Sequence, residues 1–375
     1  MANAPQYRRI VVKAGTTLLT GGGDRLDLEA MASLVGQTAR LHQQGVQVAV
    51  VSSGAVAAGR HLLSAVKGDR DIAARQVLAA VGQSRLMGAY EQLFGQHGVI
   101  VAQALLTRRD TTDRIGYLNI RNTLLALLEH GVVPVINEND VVAVEELGEG
   151  AVFGDNDRLS SLVANLLDAD LLILLGDMPG LYSADPHLDP SAKLIPRVER
   201  VDAAIEAMAH GPWTSEGRGG MATKVEAAKL ATASGVAVVI ADGRVPEVIP
   251  RLAAGEPIGT LFLPTSSKLE SRQRWMLSSL SPRGEVQIDA GAVEALRAKG
   301  GSLLPAGVRG ITGDFRRGDI VAIVDAAGQR VACGIVNYGA SETDVIKGAR
   351  SDRIRELLGY HYGDEVVHRD NLVVL

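Results

Sequence analysis

One pattern repeats from residue 8 to about residue 262: a short apolar run, a polar turn and a longer amphipathic segment. The apolar runs are rich in Val, Ile and Leu and hardly alternate with polar residues, which is typical of strands buried on both faces. These runs are RRIVVKA, VQVAVVSS, GVIVAQALL, VVPVIN, DLLILLG and GVAVVIA. Strands that alternate with helices predict an α/β fold with a mainly parallel, open sheet sandwiched by helices.

The pattern changes after Pro264. The segment PTSSKLESRQRW is polar and charged, which is typical of a connecting segment. From Glu285 the elements shorten to EVQID, a helical GAVEALRAKG and two strands within GDIVAIVDAAGQRVACGIVNY. We therefore predict an α/β domain over residues 1–263, a linker over 264–284 and a small β-rich domain over 285–375.

Composition argues against several classes of protein. A net charge of −5 over 375 residues does not suit a nucleic-acid protein that works through a broad basic surface. The single cysteine, Cys333, cannot form an internal disulfide, which fits a reducing compartment. No apolar stretch is long enough to cross a membrane, and the first residues do not resemble a signal peptide. The sequence therefore predicts a cytoplasmic protein without a membrane partner.

Polar residues collect where four of the predicted strands end. Lys13–Thr17 follow the first strand, Ser52–Gly54 end the second, Asn137–Asp140 follow VVPVI, and Gly176–Asp177 follow DLLILL. The carboxyl ends of parallel strands share one edge of a sheet, where ligands bind in such folds. The four sets therefore predict a binding site at that edge. An alternative for Lys13 alone is a side chain that extends from the sheet edge into solvent.

A glycine-rich loop precedes another predicted helix, with the sequence GRGGMATK from Gly217 to Lys224. Free backbone N–H groups and the positive end of the helix dipole suit a phosphate. Lys224 falls in the first turn, where a cation is unfavourable unless an anion is bound nearby. A flexible loop with a solvated lysine remains the alternative. The spacing is not that of a Walker A loop, and no G-x-G-x-x-G opens the first helix, which argues against a nicotinamide Rossmann enzyme.

Asp155, Asn156 and Asp157 stand in a row before the apolar run of FGDNDRLSSLVANLL. Calcium binding of the EF-hand type is excluded, because the spaced ligands and the distant Glu are missing. Two interpretations remain. Asn156 or Asp157 precedes a helix and caps it, or the cluster forms, with NEND, a pocket for a charged small molecule.

Taken together, these motifs resemble those of the glutamate 5-kinases of the amino-acid kinase family over almost the whole chain. The matching stretches are VVKAGTT, VVSSGAVAAGR, AAVGQSRLM, VVPVINENDVVA, FGDNDRLSSLVA, GLYSADP, GGMATK and SLLPAGV, in the same order and with the same spacing. The resemblance extends to a PUA domain, here at about residues 285–363. It identifies residues 1–263 with the amino-acid kinase fold and residues 285–375 with a PUA-like domain.

The resemblance implies ATP-dependent phosphorylation of the side-chain carboxylate of L-glutamate, which gives L-glutamyl 5-phosphate in the first step of proline biosynthesis. It also implies feedback inhibition by proline and assembly into a homo-oligomer. We expect Mg²⁺ to arrive bound to ATP, so that the protein needs no metal site of its own. The acyl phosphate product is labile, and we expect a downstream glutamyl phosphate reductase to consume it.

Residue by residue, the resemblance assigns catalytic roles to Lys13 and Lys224, which contact phosphate, and to Asp157, which holds the two lysines. The implied substrate-binding residues are Ser53, Asn137, Asp140, Asp155 and Asn156. The implied nucleotide-binding residues are Lys13, Gly15, Gly176, Asp177, Arg218, Gly219, Gly220, Met221, Ala222, Thr223 and Lys224. Three features depart from the family pattern: Gly176 and Arg218 replace hydroxyl residues, and the segment before Gly154 is unusually long.

Two other functions fit parts of the sequence. The chain could be another member of the amino-acid kinase family, one that acts on aspartate, acetylglutamate or a nucleoside monophosphate. The paired NEND and GDND motifs and the PUA-like tail argue against that alternative. PUA domains often bind RNA, which would make the chain an RNA-binding protein. Residues 285–375 hold 11 Lys and Arg against 13 Asp and Glu and few aromatic residues, and that balance disfavours RNA.

Overall fold

The computed structural model describes residues 5–63, 72–107, 110, 114–142, 156–186, 188–209, 220–267 and 282–375, with Arg114 and Lys299 described for their backbone only. The chain forms two compact units. The first comprises Met1–Thr112 and Asn119–Lys268, and the second comprises Asp113–Leu118 and Leu269–Leu375. Most of the predicted linker, 264–284, falls outside the described residues, so its bounds stay a prediction.

The strands of the first unit are β1 (Arg9–Ala14), β2 (Gln47–Ser52), β3 (Val101–Leu106), β4 (Val133–Glu138), β5 (Leu171–Gly176), β6 (Arg197–Val198), β7 (Ala237–Asp242) and β8 (Thr260–Phe262). Within the described part of the chain they form one sheet in the order β3-β4-β2-β1-β5-β7-β8-β6. The pairings are parallel except for β7 with β8. The mainly parallel open sheet predicted from the apolar runs is confirmed.

The helices of the first unit are α1 (Thr16–Thr20), α2 (Leu28–Gln43), α3 (Ala55–Leu62), α4 (Ile72–Gly95), α5 (Arg114–Glu129), α6 (Asn156–Leu166), α7 (Ala203–Ala209), α8 (Met221–Ala233) and α9 (Val248–Ala253). Residues 114–118 at the start of α5 belong to the second unit. They pack on both faces of the sheet. Successive residues of one strand therefore join different apolar cores: Ile10 and Val12 belong to one core, and Val11 belongs to the other. Because both faces are covered, the strands in the middle of the sheet contain no polar alternation.

The strand order places the predicted site. β4, β2, β1 and β5 are four neighbouring strands, and they are the four whose ends carry the polar sets identified in the sequence. Their parallel register brings Ala14 beside Ser52 and beside Leu175. The four polar sets therefore lie along one edge of the sheet, as predicted from their positions in the sequence.

The second unit contains β9 (Gly284–Ile288), β10 (Val308–Gly313), β11 (Ile320–Val324), β12 (Arg330–Ile335), β13 (Leu372–Val374), α10 (Ala290–Lys299), α11 (Ala340–Ile346) and α12 (Ile354–Leu358). Its sheet has the order β10-β9-β11-β12-β13. Buried Val286, Phe315, Val321 and Tyr338 belong to its core. The predicted β-rich second unit is confirmed. No helix in the described ranges of either unit is long and apolar enough to cross a membrane.

Candidate active site

A buried cluster of three charged side chains forms the centre of the site. Lys13 lies near the end of β1, Asp157 is the second residue of α6, and Lys224 is the fourth residue of α8. Lys13 Nζ contacts Asp157 Oδ1, and Lys224 Nζ lies 3.1 Å from Asp157 Oδ2. The exposed fractions of the three residues are 3%, 0% and 8%. The cluster carries a formal charge of +1 where little water reaches it, which favours the binding of an anion.

The Asp157 carboxylate is ionised over the whole physiological range. Burial raises the pKa of Asp157, but the charges and hydrogen bonds of Lys13 and Lys224 outweigh burial and lower this pKa from 3.8 to about 2. The Thr223 hydroxyl lies 3.0 Å from Asp157 Oδ2 and 2.8 Å from the carbonyl oxygen of Gly220. A carboxylate with such a low pKa is a poor proton acceptor, and its two oxygens contact the two lysines.

The start of α8 supplies backbone donors next to these lysines. Gly220 occupies the N-cap position with an extended backbone and makes no side-chain cap hydrogen bond. The first N–H groups of an α-helix have no partners within the helix, and the dipole adds partial positive charge there. Lys224, a cation in this first turn, is stabilised by Asp157. Of the predicted phosphate loop, Gly220, Met221, Ala222, Thr223 and Lys224 take these positions.

Arg218 and Gly219 lie outside the described residues, and Asp155 does as well. Of the remaining predicted nucleotide positions, Gly15 and Gly176 lie beside the lysines. A Cβ atom on Gly15 would lie 3.7 Å from Lys13 Nζ, and one on Gly176 would lie 3.2 Å from Lys224 Cε. Asp177 is exposed, and its carbonyl oxygen accepts a 2.5 Å hydrogen bond from Arg244.

A second polar group, made of carboxamides and a hydroxyl, adjoins the charged cluster. Asn156 Nδ2 lies 2.7 Å from the carbonyl oxygen of Ser52, 3.0 Å from Ser53 Oγ and 2.9 Å from Asn137 Oδ1. Asn137 and Asn156 are buried, whereas Ser53 is half-buried. The structure thus brings three of the predicted substrate residues together at the ends of β2 and β4 and the start of α6.

Asp140, the fourth predicted substrate residue within the described ranges, lies three residues beyond Asn137 and is half-buried. Burial raises the pKa of the Asp140 carboxyl, and the positive charge of Arg75 on α4 opposes that effect. A half-buried carboxylate next to the carboxamide group suits a ligand ammonium.

The proposed helix cap is corrected by the structure. Asn156 and Asp157 are the first two residues of α6 and do not precede it. Asn156 donates to Ser52, Ser53 and Asn137, and the Asp157 carboxylate contacts the two lysines. Both side chains are therefore part of the site, which favours the pocket interpretation of this run.

Sequence reasoning missed the contributions of α4. Gln83 Oε1 accepts a 2.8 Å hydrogen bond from Asn137 Nδ2, and the buried Tyr90 hydroxyl lies 2.9 Å from Ser52 Oγ. Burial raises the pKa of Tyr90 to about 12, although the hydrogen bond with Ser52 opposes this, so its hydroxyl stays protonated. Gln83 lies within AAVGQSRLM, a stretch that carried the resemblance, but nothing in a helical segment indicated its partner.

Comparison with known proteins places this site in a family. The amino acid kinase family matches residues 8–242, and the PUA domain matches residues 284–358. The chain is 52% identical over 373 residues to the glutamate 5-kinase of Dehalococcoides mccartyi strain 195, covering 100% of both chains. It is 51% identical to that of D. mccartyi strain CBDB1, covering 98% of this chain and 99% of the other. It is 52% identical to that of Herpetosiphon aurantiacus, covering 98% of each.

Proposed function

Because the chain belongs to the amino acid kinase family, and within it to the glutamate 5-kinases, we propose that it transfers the γ-phosphoryl group of ATP to the side-chain carboxylate of L-glutamate. The observation that carries this proposal is the buried Lys13–Asp157–Lys224 cluster beside the Ser53–Asn137–Asn156 group. The first suits an anionic phosphoryl group, and the second suits a small polar amino acid.

The reaction needs charge neutralisation and alignment more than proton transfer. A glutamate side-chain carboxyl has a pKa of about 4.3, so the nucleophile is already ionised near neutral pH. Asp157, whose pKa of about 2 makes it a weak base, has no proton to remove. Lys13 and Lys224 offset the repulsion between the approaching carboxylate and the phosphate oxygens.

Glutamate recognition is assigned to the carboxamide group and the residues around it. Asp140 and the carboxamide oxygen of Asn156 accept hydrogen bonds from the α-ammonium group, and Ser53 and Asn137 define the neighbouring polar wall. Asp155 is proposed as a further contact from the resemblance alone. Holding the substrate at several points aligns its side-chain carboxylate with the phosphorus atom.

The nucleotide is assigned to the edge formed by β1, β5 and the start of α8. The N-terminal amides of α8 and the two lysines suit a polyphosphate, and Gly15 and Gly176 leave space beside those lysines. Asp177, Arg218 and Gly219 complete the proposed set. The Asp157 carboxylate is already paired with both lysines, which fits a metal that enters with the nucleotide. Mg²⁺ bound to ATP supplies further neutralisation of the phosphate charge.

Several properties of the biological setting belong to the same proposal. The acyl phosphate product is labile, and its use in proline biosynthesis requires a reductase that consumes it. Feedback inhibition by proline, a homo-oligomeric assembly and a cytoplasmic location are proposed from the resemblance to the glutamate 5-kinases.

Hydroxylamine trapping tests this proposal directly. An acyl phosphate reacts with hydroxylamine to give a hydroxamate, which forms a coloured ferric complex. We expect hydroxamate from L-glutamate in the presence of ATP and Mg²⁺, and little from L-aspartate or N-acetyl-L-glutamate. Hydroxamate from either of the other acids, with none from glutamate, would refute the proposed substrate.

A further inference from the structure

Helix α4 lies unusually close to the N-terminus of α3 because two glycines permit backbone contact. A Cβ atom on Gly82 would lie 1.8 Å from the carbonyl oxygen of Ala55, and one on Gly59 would lie 1.9 Å from that of Leu78. Gln83, next to Gly82, is therefore held near the first residue of α3. That helix begins after Gly54, which makes no side-chain cap hydrogen bond.

The hydrogen bonds of Gln83 have a defined direction. Asn137 Oδ1 accepts a 2.9 Å hydrogen bond from the backbone N–H of Glu138, which can only donate. The Nδ2 group of Asn137 must then be the donor to Gln83, which accepts through Oε1. At the other end, Asn156 Nδ2 donates to the carbonyl oxygen of Ser52, which can only accept. Backbone groups therefore fix the orientation of all three carboxamides.

Two polar atoms remain available at the ends of this chain of carboxamides. Among the described residues, Asn156 Oδ1 and Gln83 Nε2 have no hydrogen-bond partner. The first is an acceptor and the second is a donor. An α-amino acid head group presents an ammonium donor and a carboxylate acceptor, so the two ends complement the two charges of that group.

We propose that Gln83 binds the α-carboxylate of the amino-acid substrate through Nε2, together with the first N–H groups of α3, which have no partner within that helix. This inference rests on the proposed function, since it assigns a further contact to the same substrate. The helix start contributes partial positive charge, and Gln83 contributes a directed donor whose orientation is fixed by Asn137. Gln83 thus selects for a free α-carboxylate, which the assignments above leave without a partner.

The neighbouring charges on α4 are consistent with this role. Gln76 lies two turns before Gln83, on the same face of the helix, and its side chain lies 3.4 Å from the carbonyl oxygen of Val141. Arg75 adds a positive charge that acts on Asp140. This face of α4 therefore borders the segment that carries Asn137 and Asp140, and it contributes positive charge and amide groups.

Gln83→Glu tests the proposal because it retains the acceptor for Asn137 and replaces the donor by a negatively charged oxygen. Initial rates are measured with L-glutamate and with L-isoglutamine, whose α-carboxylate is replaced by a carboxamide while the side-chain carboxylate is unchanged. A hydrogen bond to a charged group corresponds to roughly 10- to 100-fold in binding. We expect the KM of Gln83→Glu for glutamate to rise by about that factor, with kcat changed less than about threefold. Its kcat/KM for isoglutamine should fall much less than its kcat/KM for glutamate.

The decisive quantity is the preference for glutamate over isoglutamine in kcat/KM. We expect this preference to fall at least about tenfold in Gln83→Glu and to stay unchanged in Gln92→Glu, which places the same charge at an exposed position of the same helix. If Gln83→Glu does not fold, Gln83→Met is used in its place, and the preference of that variant for glutamate over isoglutamine should also fall. An unchanged preference in the folded Gln83 variants would overturn the assignment. A wild-type protein that forms no glutamyl hydroxamate would instead refute the proposed function.

Discussion

Replacing Asp157 by asparagine is the sharpest test of the charged cluster, because it keeps the shape of the side chain and removes its charge. In the native protein Asp157 is fully buried and pairs with both Lys13 and Lys224. The variant leaves two buried cations without their common counter-ion. Loss of one partner from a buried ion pair costs about 3–5 kcal/mol of unfolding free energy. We therefore expect Asp157→Asn to be destabilised by that amount at neutral pH and to lose most of its turnover.

Part of this difference in unfolding free energy between wild type and Asp157→Asn must depend on pH, and the lowered pKa of Asp157 decides whether it grows or shrinks as pH falls. The folded-state pKa of Asp157 is about 2, below the ordinary 3.8, so its ionisation stabilises the fold above pH 3.8 and that stabilisation is lost as pH falls towards 2. At 1.36 kcal/mol per pKa unit the contribution is about 2 kcal/mol at neutral pH, and about half of it remains at pH 3. The stability gap between wild type and variant should therefore narrow by about 1 kcal/mol between pH 6 and pH 3.

The measurement is urea unfolding at several pH values, with pulse-labelled hydrogen exchange of peptides that contain β1 as the readout of unfolding. A local readout is needed because the two units need not unfold together. Glu226→Gln is the matched control: Glu226 lies 3.7 Å from Arg158 between the same two helices, but both side chains are largely exposed. We expect this variant to stay within about 0.5 kcal/mol of wild type. A gap for Asp157→Asn that is constant from pH 6 to pH 3 would contradict the reasoning.

Two further predictions concern turnover and packing. Lys13→Ala and Lys224→Ala should lower kcat by about 100-fold or more with little change in the KM for glutamate, because these lysines neutralise the charge of the phosphoryl group during its transfer. Asn156→Ala should mainly raise that KM. Steady-state kinetics in which all three variants behaved alike would refute this division of roles. Gly82→Ala should lower the thermal unfolding midpoint by the equivalent of about 1–3 kcal/mol, because its new methyl group meets the backbone of α3. Gly88→Ala in the same helix should be neutral or stabilised by up to about 1 kcal/mol, because apart from the adjacent helix backbone its new methyl group meets no atom of the described residues within 4 Å. Equal midpoints for the two glycine variants would show that the α3–α4 contact is not tight.

The sheet, and the part of the site that lies at the ends of its strands, could be predicted because short stretches of sequence indicate both. Each central strand is a Val/Ile/Leu run without alternation, as in the segment ending at Lys13, and burial on both faces leaves no other pattern. Parallel strands align their ends, so polar residues that follow four such runs must come together. The pairing of Asp157 with Lys13 and Lys224 came from the resemblance, since spacing alone gives no partner to residues 67 or more positions apart.

The contribution of α4 could not be predicted, because it depends on helix packing. Gln83 reaches Asn137 only because glycines at 59 and 82 allow backbone contact between α3 and α4. A glycine within a predicted helix lowers helix propensity in the same way whether it faces solvent, as Gly88 does, or another backbone. The start of α6 was misjudged for a related reason. Asn and Asp before an apolar run are typical caps, but here tertiary partners take both side chains.

Helix α6 joins the two halves of the site. Asn156 and Asp157 are consecutive residues, and successive side chains on a helix diverge by about 100°. The first therefore meets the ends of β2 and β4, and the second meets the lysines of β1 and α8. One peptide unit thus couples the position of the carboxamides to the position of the cations. Since phosphoryl transfer requires the carboxylate and the phosphorus to be aligned, a shift at the start of α6 displaces both groups of residues together, and a second-site change in α6 should impair substrate binding and turnover at once.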